Sequence, residues 1–263
     1  MSVSRRSFLS AAPAAALLVP SIVSARGVQA SPAVPDSFPT HPAAMVREFV
    51  GVSHFNVPRV REMLALRPSL ATAAWDWGFG DWESALGAAS HVGNVEIAQL
   101  LLASGARPDI FSAAMLGQLD VVKAFIAASP GIQRTYGAHG LTLLHHAEAG
   151  GERAAAVTAY LTTLGDADVD YPSEPLADAD RDALVGTYVF GSGARDRFTV
   201  TLHARFGPQL AREGGSAQRI VHLGRRVFHT VGAPAVRITF AAGAPAPALS
   251  VVDGDISLAA TRV

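Results

Sequence analysis
The chain repeats itself, and this restricts its fold more than any other feature. Ser53-His54-Phe55 recurs as Ser90-His91-Val92, 37 residues on. Each is followed by a run with helical apolar spacing, Val60-Arg61-Glu62-Met63-Leu64 and Ile97-Ala98-Gln99-Leu100-Leu101-Leu102. Two further passes carry Ala113-Ala114-Met115-Leu116-Gly117 and His145-His146-Ala147-Glu148-Ala149-Gly150-Gly151. The step from Gly117 to Gly151 is 34 residues, but from Gly93 to Gly117 it is 24, so a connecting hairpin is expected to be missing there. A unit of this length cannot bury both its faces alone and must stack on its neighbours. The residues suit that role. Ala88, Ala89, Ala113 and Ala114 let paired helices approach closely, and Ile97, Leu100 and Leu101 form one buried stripe at i, i+3 and i+4. Gly105 stands where that helix must end in a left-handed turn.

The second unit resembles the ankyrin repeat. It runs Ser84-Ala85-Leu86-Gly87-Ala88-Ala89, then Gly93-Asn94, then Leu100-Leu101-Leu102-Ala103-Ser104-Gly105-Ala106-Arg107-Pro108-Asp109. Thr142-Leu143-Leu144-His145-His146-Ala147 follows the family's T-P-L-H-x-A, departing at Leu143, and the first unit departs with Asn56 in place of glycine. The resemblance covers residues 44–170. It implies an α-solenoid of about four repeats, one truncated, whose hairpin tips and first helices hold another protein.

From Leu184 the apolar period changes to two. Phe198, Val200 and Leu202 alternate with polar residues, as do Val236, Ile238 and Phe240, and Leu249 with Val251 and Ile256 with Leu258 read as closing strands. Seven or eight short antiparallel strands over 184–263 predict a small β-barrel or sandwich. Its opening, Val185-Gly186-Thr187-Tyr188-Val189-Phe190, resembles the small β-domain appended to some bacterial serine hydrolases of the β-lactamase-like type, and carries no catalytic residue with it. The expected fold is therefore α+β and multidomain, an α-solenoid of ankyrin repeats followed by a small antiparallel β-barrel or sandwich. Charge divides the chain the same way. Residues 31–183 hold 9 basic and 18 acidic residues, and residues 184–263 hold 9 basic and 4 acidic. Between the two, residues 166–182 carry seven acids against Arg181 alone, and 171–183 is expected to be an acidic linker.

Upstream, Arg5-Arg6-Ser7-Phe8-Leu9 precedes an apolar run from Ala11 to Val23 and small-residue exits after Ala25 or Ala30. This is the layout of a secretory signal peptide, and Arg5, Arg6, Phe8 and Leu9 resemble the bacterial twin-arginine signal. Residues 1–30 are expected to be the signal and the Pro-rich residues 31–43 a linker. Pro13 and Pro20 interrupt the apolar run, which is shorter than the roughly 18 residues a bilayer span needs, so no stable membrane span is expected after signal removal. The predicted address is periplasmic or secreted.

Chemistry is scarce. No cysteine is present, which excludes disulfides, thiolate metal sites and thiol catalysis. Lys123 is the one lysine and has Asp120 three residues before it, so S-x-x-K is absent. Gly51-Val52-Ser53-His54-Phe55 fails the nucleophile-elbow pattern at Phe55, and no H-E-x-x-H, P-loop or dinucleotide fingerprint occurs. A formal net charge of −1 speaks against nucleic-acid binding. His145 falls on the repeat's own histidine position, His54 and His91 occupy one place in two repeats, and all three are read as structural; His139 falls in a connecting loop. No catalytic residue, cofactor or metal ligand is predicted, and the expected function is an exported, non-catalytic protein-protein interaction module. One alternative gives the β-domain a small ligand on an ankyrin scaffold; another makes the chain an accessory to, or remnant of, a serine hydrolase. All three tryptophans fall in Trp75-Asp76-Trp77-Gly78-Phe79-Gly80-Asp81-Trp82. Trp77 and Phe79, flanked by Asp76 and Asp81, are the expected partner contacts, while Trp75 and Trp82 are expected to stack on a repeat helix.

Overall fold
Eight helices in four consecutive pairs build the first part of the molecule: α1 (Ala43–Val52) with α2 (Val57–Leu66), α3 (Ala85–His91) with α4 (Val95–Ala103), α5 (Ile110–Met115) with α6 (Leu119–Ala128), and α7 (Leu143–Ala149) with α8 (Ala155–Leu164). The computed structural model describes residue 34 and residues 36–263. The signal motif Arg5, Arg6, Phe8 and Leu9 and both expected cleavage points lie outside the described residues. The chain divides into Met1–Phe38 and Pro39–Val263, and all that follows concerns the second unit. No helix among the described residues is long and apolar enough to cross a membrane.

Local chemistry explains where the helices start. Asn56, Ser84, Asn94, Asp109 and Thr142 each sit at an N-cap and accept a backbone N–H from the first turn with the side-chain oxygen. At Asp109 the cap is reciprocal, because Ser112 returns a hydrogen bond to the Asp109 backbone. The small residues do what their size suggests: Ala88, Ala89, Ala113 and Ala114 are almost wholly buried, and α3 packs against α1 and α5. Ile97 and Leu101 are fully buried, with Leu100 at the margin of the same core. The chain passes from α4 to α5 through a short loop with no strands, where a hairpin was expected to be missing. A β-hairpin stands between α2 and α3, with β1 (Ala74–Asp76) antiparallel to β2 (Trp82–Ser84).

The second part is a closed barrel of eight antiparallel strands in sequence order: β3 (Gly186–Val189), β4 (Arg197–His203), β5 (Gly207–Arg212), β6 (Gln218–His222), β7 (Val227–Thr230), β8 (Ala233–Phe240), β9 (Ala248–Asp253) and β10 (Ile256–Arg262). β10 returns to β3 through Thr261↔Val189 and Arg262↔Tyr188, so the sheet has no free edge. Its interior is filled by side chains, among them Tyr188, Phe198, Leu210, Ile220, Phe228 and Ile238. Leu202 and Ile256, expected inward from alternation, are instead 39% and 57% exposed, because both stand where their strands run beyond the packed core.

The acidic stretch between the parts is strapped down rather than free. Asp170 takes a bidentate pair from Arg219 at 2.9 and 2.6 Å, and the short helix α9 (Asp178–Leu184) pairs Asp180 with Arg226 at 2.7 Å. The Glu174 backbone N–H donates to His222 O at 2.8 Å. Leu184, at the end of α9, is buried in the barrel core. The basic surface of the barrel thus meets the acids that precede it. A further seam forms where the β7–β8 turn, Val231-Gly232, meets the tip of the β1–β2 hairpin. A Cβ on Gly232 would lie 2.6 Å from Asp81 N, so only glycine permits that approach.

Candidate functional site
The β1–β2 hairpin sets the geometry of this seam. Gly78, Phe79 and Gly80 all have positive φ (+126°, +53° and +73°), which curls the tip, and the Asp76 carboxylate braces it by accepting the Gly78 N–H at 2.8 Å. Side chains along a strand alternate between faces. Asp81 and Glu83 therefore point inward, 4% and 1% exposed, while Trp82 between them points out and is 66% exposed.

The four residues expected to touch a partner have other engagements. Trp77 packs on the helical core and donates its indole N–H to Glu83 Oε2 at 2.8 Å. Phe79 packs against the barrel core. Asp81 binds His139 twice, through the backbone N–H and through ring Nδ1, each at 2.8 Å. Asp76 remains exposed but its oxygen serves the tip. The hairpin tip lies against the chain's own barrel, with Asp81 buried and Trp77 and Phe79 partly buried. Trp82, expected to stack, is the aromatic residue that faces out.

Around Glu83 the structure gathers three histidines that lie far apart in sequence. His54 lies in the turn after α1, His91 is the last residue of α3, and His139 stands in the loop before α7 with φ +61°. Glu83 Oε1 lies 3.6 Å from His54 Nε2, 3.1 Å from His91 Nδ1 and 3.5 Å from His139 Nε2. The rings also touch, His54 on His91 with centroids 4.9 Å apart and His91 on His139 at 5.3 Å. His145 and His146 flank them. His145 Nε2 reaches the His91 carbonyl at 3.2 Å, linking two helix pairs, and His146 Nδ1–H donates to Thr142 O at 2.8 Å.

Burial and charge compete in this cluster. Burial alone would raise the Glu83 carboxyl, but His139 and His91 beside it, with His54 beyond, hold it down at about 2. Burial alone would lower His139, yet the Asp81 and Glu83 carboxylates push it up to about 10. For His91 burial outweighs the pull of Glu83 and the ring is shifted down. His146, deeper still and beside His91 and His145, falls to about 3 and stays neutral. Glu83 Oε1 thus faces one nitrogen atom from each of His54, His91 and His139.

Two cavities flank the cluster, one of about 580 Å³ bounded by Glu83, Phe111, Tyr136, His146 and Tyr171, the other of about 450 Å³ bounded by His91, His139, His145, Phe206, Gln218 and Arg219. Among the described residues, His54, Glu83, His91 and His139 are the group whose potential ligand atoms converge. Glu83 had no signal in the sequence beyond preceding the Ser84 cap. The shared repeat position of His54 and His91 did hold one, since equivalent residues of stacked units become neighbours.

Residues 81–112 match the ankyrin repeat family, over the stretch that carries β2, α3 and α4. No curated protein matches the chain.

Proposed function
We propose that the chain is an exported, non-catalytic protein-interaction module whose partner surface lies on the outer side of the β1–β2 hairpin. An ankyrin repeat suggests a protein-interaction module. The observation that carries the finer reading is Trp82, two-thirds exposed on the strand that opens this repeat, at a position where alternation keeps it outside. Phe55, 75% exposed beside His54, adds a second aromatic side chain without cover from its own chain. The hairpin tip, the more usual place for such contacts, is taken up by the barrel. Support for a non-catalytic role comes from the missing motifs for nucleophilic, metalloprotease or nucleotide chemistry in the sequence. Support for export comes from Arg5, Arg6, Phe8 and Leu9.

Capture from a periplasmic extract tests the surface. The intact chain should retain a partner that Trp82→Ala and Phe55→Ala together release, with an affinity loss of about 2 kcal/mol or more if Trp82 is a hot spot and no change in melting temperature. Trp77→Ala should do the opposite, lowering stability through its lost packing and its lost hydrogen bond to Glu83. Equal retention by the wild type and the Phe55/Trp82 double variant would move the surface elsewhere.

A further inference from the structure
Four side chains offer one atom each to a common point beneath the β1–β2 hairpin. Glu83 Oε1 stands 3.1 to 3.6 Å from the nearest nitrogen of each of His54, His91 and His139, and all four atoms lie within 4.8 Å of one another. Ligands held about 2.0–2.1 Å from a tetrahedral ion lie about 3.4 Å apart, close to these spacings.

Hydrogen bonding singles out the same point. Glu83 Oε1 and His91 Nδ1 are buried and have no hydrogen-bond partner among the described residues, although they face each other at 3.1 Å. The Glu83 side chain is 0% exposed, so its free oxygen has no solvent to turn to. The other atoms of the set are already committed elsewhere. His54 Nδ1–H donates to Gly51 O at 2.9 Å, which leaves Nε2 as the atom with a free lone pair in the neutral ring. His139 Nδ1–H donates to Asp81 Oδ2 at 2.8 Å, which turns Nε2 toward Glu83. Glu83 Oε2 accepts the Trp77 indole N–H at 2.8 Å, which turns Oε1 inward. A carbonyl and a carboxylate behind two imidazoles are the outer partners that orient histidine ligands on a metal. An ion pair of His139 with Asp81 and Glu83 would account for only part of this, since it gives no reason for His54 and His91 to face the same oxygen.

We propose that His54, Glu83, His91 and His139 bind one divalent transition-metal ion of the zinc class in a closed structural site. Imidazole nitrogens suit zinc and its neighbours, whereas calcium and magnesium take oxygen ligands. Four protein ligands fill a tetrahedral shell and leave no position for substrate, which marks the site as structural. The ion joins the turn after α1, strand β2, the end of α3 and the loop before α7, and its charge lies against the buried Glu83 carboxylate. The site stands independently of the partner surface.

The full chain, stripped with chelator and titrated with zinc sulfate, should bind one ion per molecule and melt at a higher temperature when loaded. Cobalt(II) in its place should give the intense visible bands of a tetrahedral nitrogen–oxygen site. His54→Ala and His91→Ala should each weaken zinc binding at least tenfold and abolish the thermal shift, while His145→Ala, next to the cluster but outside it, should keep both. Absence of stoichiometric zinc binding by the wild type at micromolar concentration would overturn the proposal. So would wild-type affinity in both ligand variants, loss of binding in His145→Ala alone, or a weak octahedral cobalt spectrum. The cobalt spectrum of the wild type decides the matter even if a ligand variant does not fold.

Discussion

Asp81 grips His139 at two points across 58 residues of chain: Oδ1 accepts the backbone N–H and Oδ2 the ring Nδ1–H, both at 2.8 Å. The carboxylate is 4% exposed, and the residue it holds has the left-handed φ of +61° that a side chain rarely adopts. Asp81→Ala removes both acceptors and should destabilise the fold by about 2–3 kcal/mol. Asp81→Asn, which keeps one acceptor oxygen, should recover part of that loss. Urea unfolding of the three proteins measures it; a difference below about 0.5 kcal/mol for the alanine variant would mean that the grip contributes nothing.

Gly232 is the second point of control at the seam. A Cβ there would meet Asp81 N at 2.6 Å and Asp81 Cα at 2.7 Å, and the backbone of the hairpin cannot yield as a flexible side chain would. Gly232→Ala should cost about 2 kcal/mol through overpacking and should expose residues 166–177 to protease by loosening the barrel from the hairpin. Gly254→Ala is the comparison: its φ is +58° but nothing lies within 4 Å of the added carbon, so only backbone strain of about 1 kcal/mol is expected and no new cleavage. Limited proteolysis alongside melting curves distinguishes the two.

The Asp170–Arg219 pair gives the strap a pH and salt dependence. The Arg219 guanidinium holds the Asp170 carboxyl below the usual aspartate range, against a smaller opposing effect of burial, and the Tyr171 N–H assists. Tyr136, on the neighbouring loop, also faces this pair. A depressed folded-state pKa stabilises the fold above the unfolded value of about 3.9 and loses that contribution as pH falls through the folded value. Asp170→Asn should therefore lower stability at pH 7, and its difference from wild type should shrink in strong acid. Both side chains retain some exposure, so the pH 7 difference should also shrink at high salt. A difference constant in pH and salt would exclude a Coulombic role.

Export should depend on the paired arginines. Replacing Arg5 and Arg6 by Lys preserves charge but removes the guanidinium groups that the twin-arginine resemblance turns on. Fractionated cells should then accumulate the precursor in the cytoplasm. Unchanged periplasmic yield would sink the twin-arginine reading while leaving a general secretory route open.

The helical units were legible because their signals are local. Caps such as Asn94 and Asp109 act on N–H groups three residues away, and the stripe of Ile97 and Leu101 lies on one face by helical geometry alone. The barrel strands were legible for a similar reason, since a period of two places Phe198, Val200, Ile238 and Phe240 on the inner face. Clustering of the tryptophans shows that aromatic residues crowd a hairpin but not which side of it the barrel covers. Alternation beginning from the register Trp75↔Glu83 sends Trp82 outward, and that register is a property of the paired strands.

By itself the sequence determined the stacked helical units, their capped ends, the missing hairpin between α4 and α5, and a separate antiparallel β-structure at the end of the chain. These follow from periodicities and turn chemistry that operate within a few residues. The inward turn of Trp77 and Asp81, the docking of the β7–β8 turn at Gly232, and the meeting of His54, Glu83, His91 and His139 were decided by the tertiary structure alone. They require stacking of units that are distant in sequence and burial of a carboxylate. Its partners become neighbours only when the helix pairs close on one another and the barrel seals the seam.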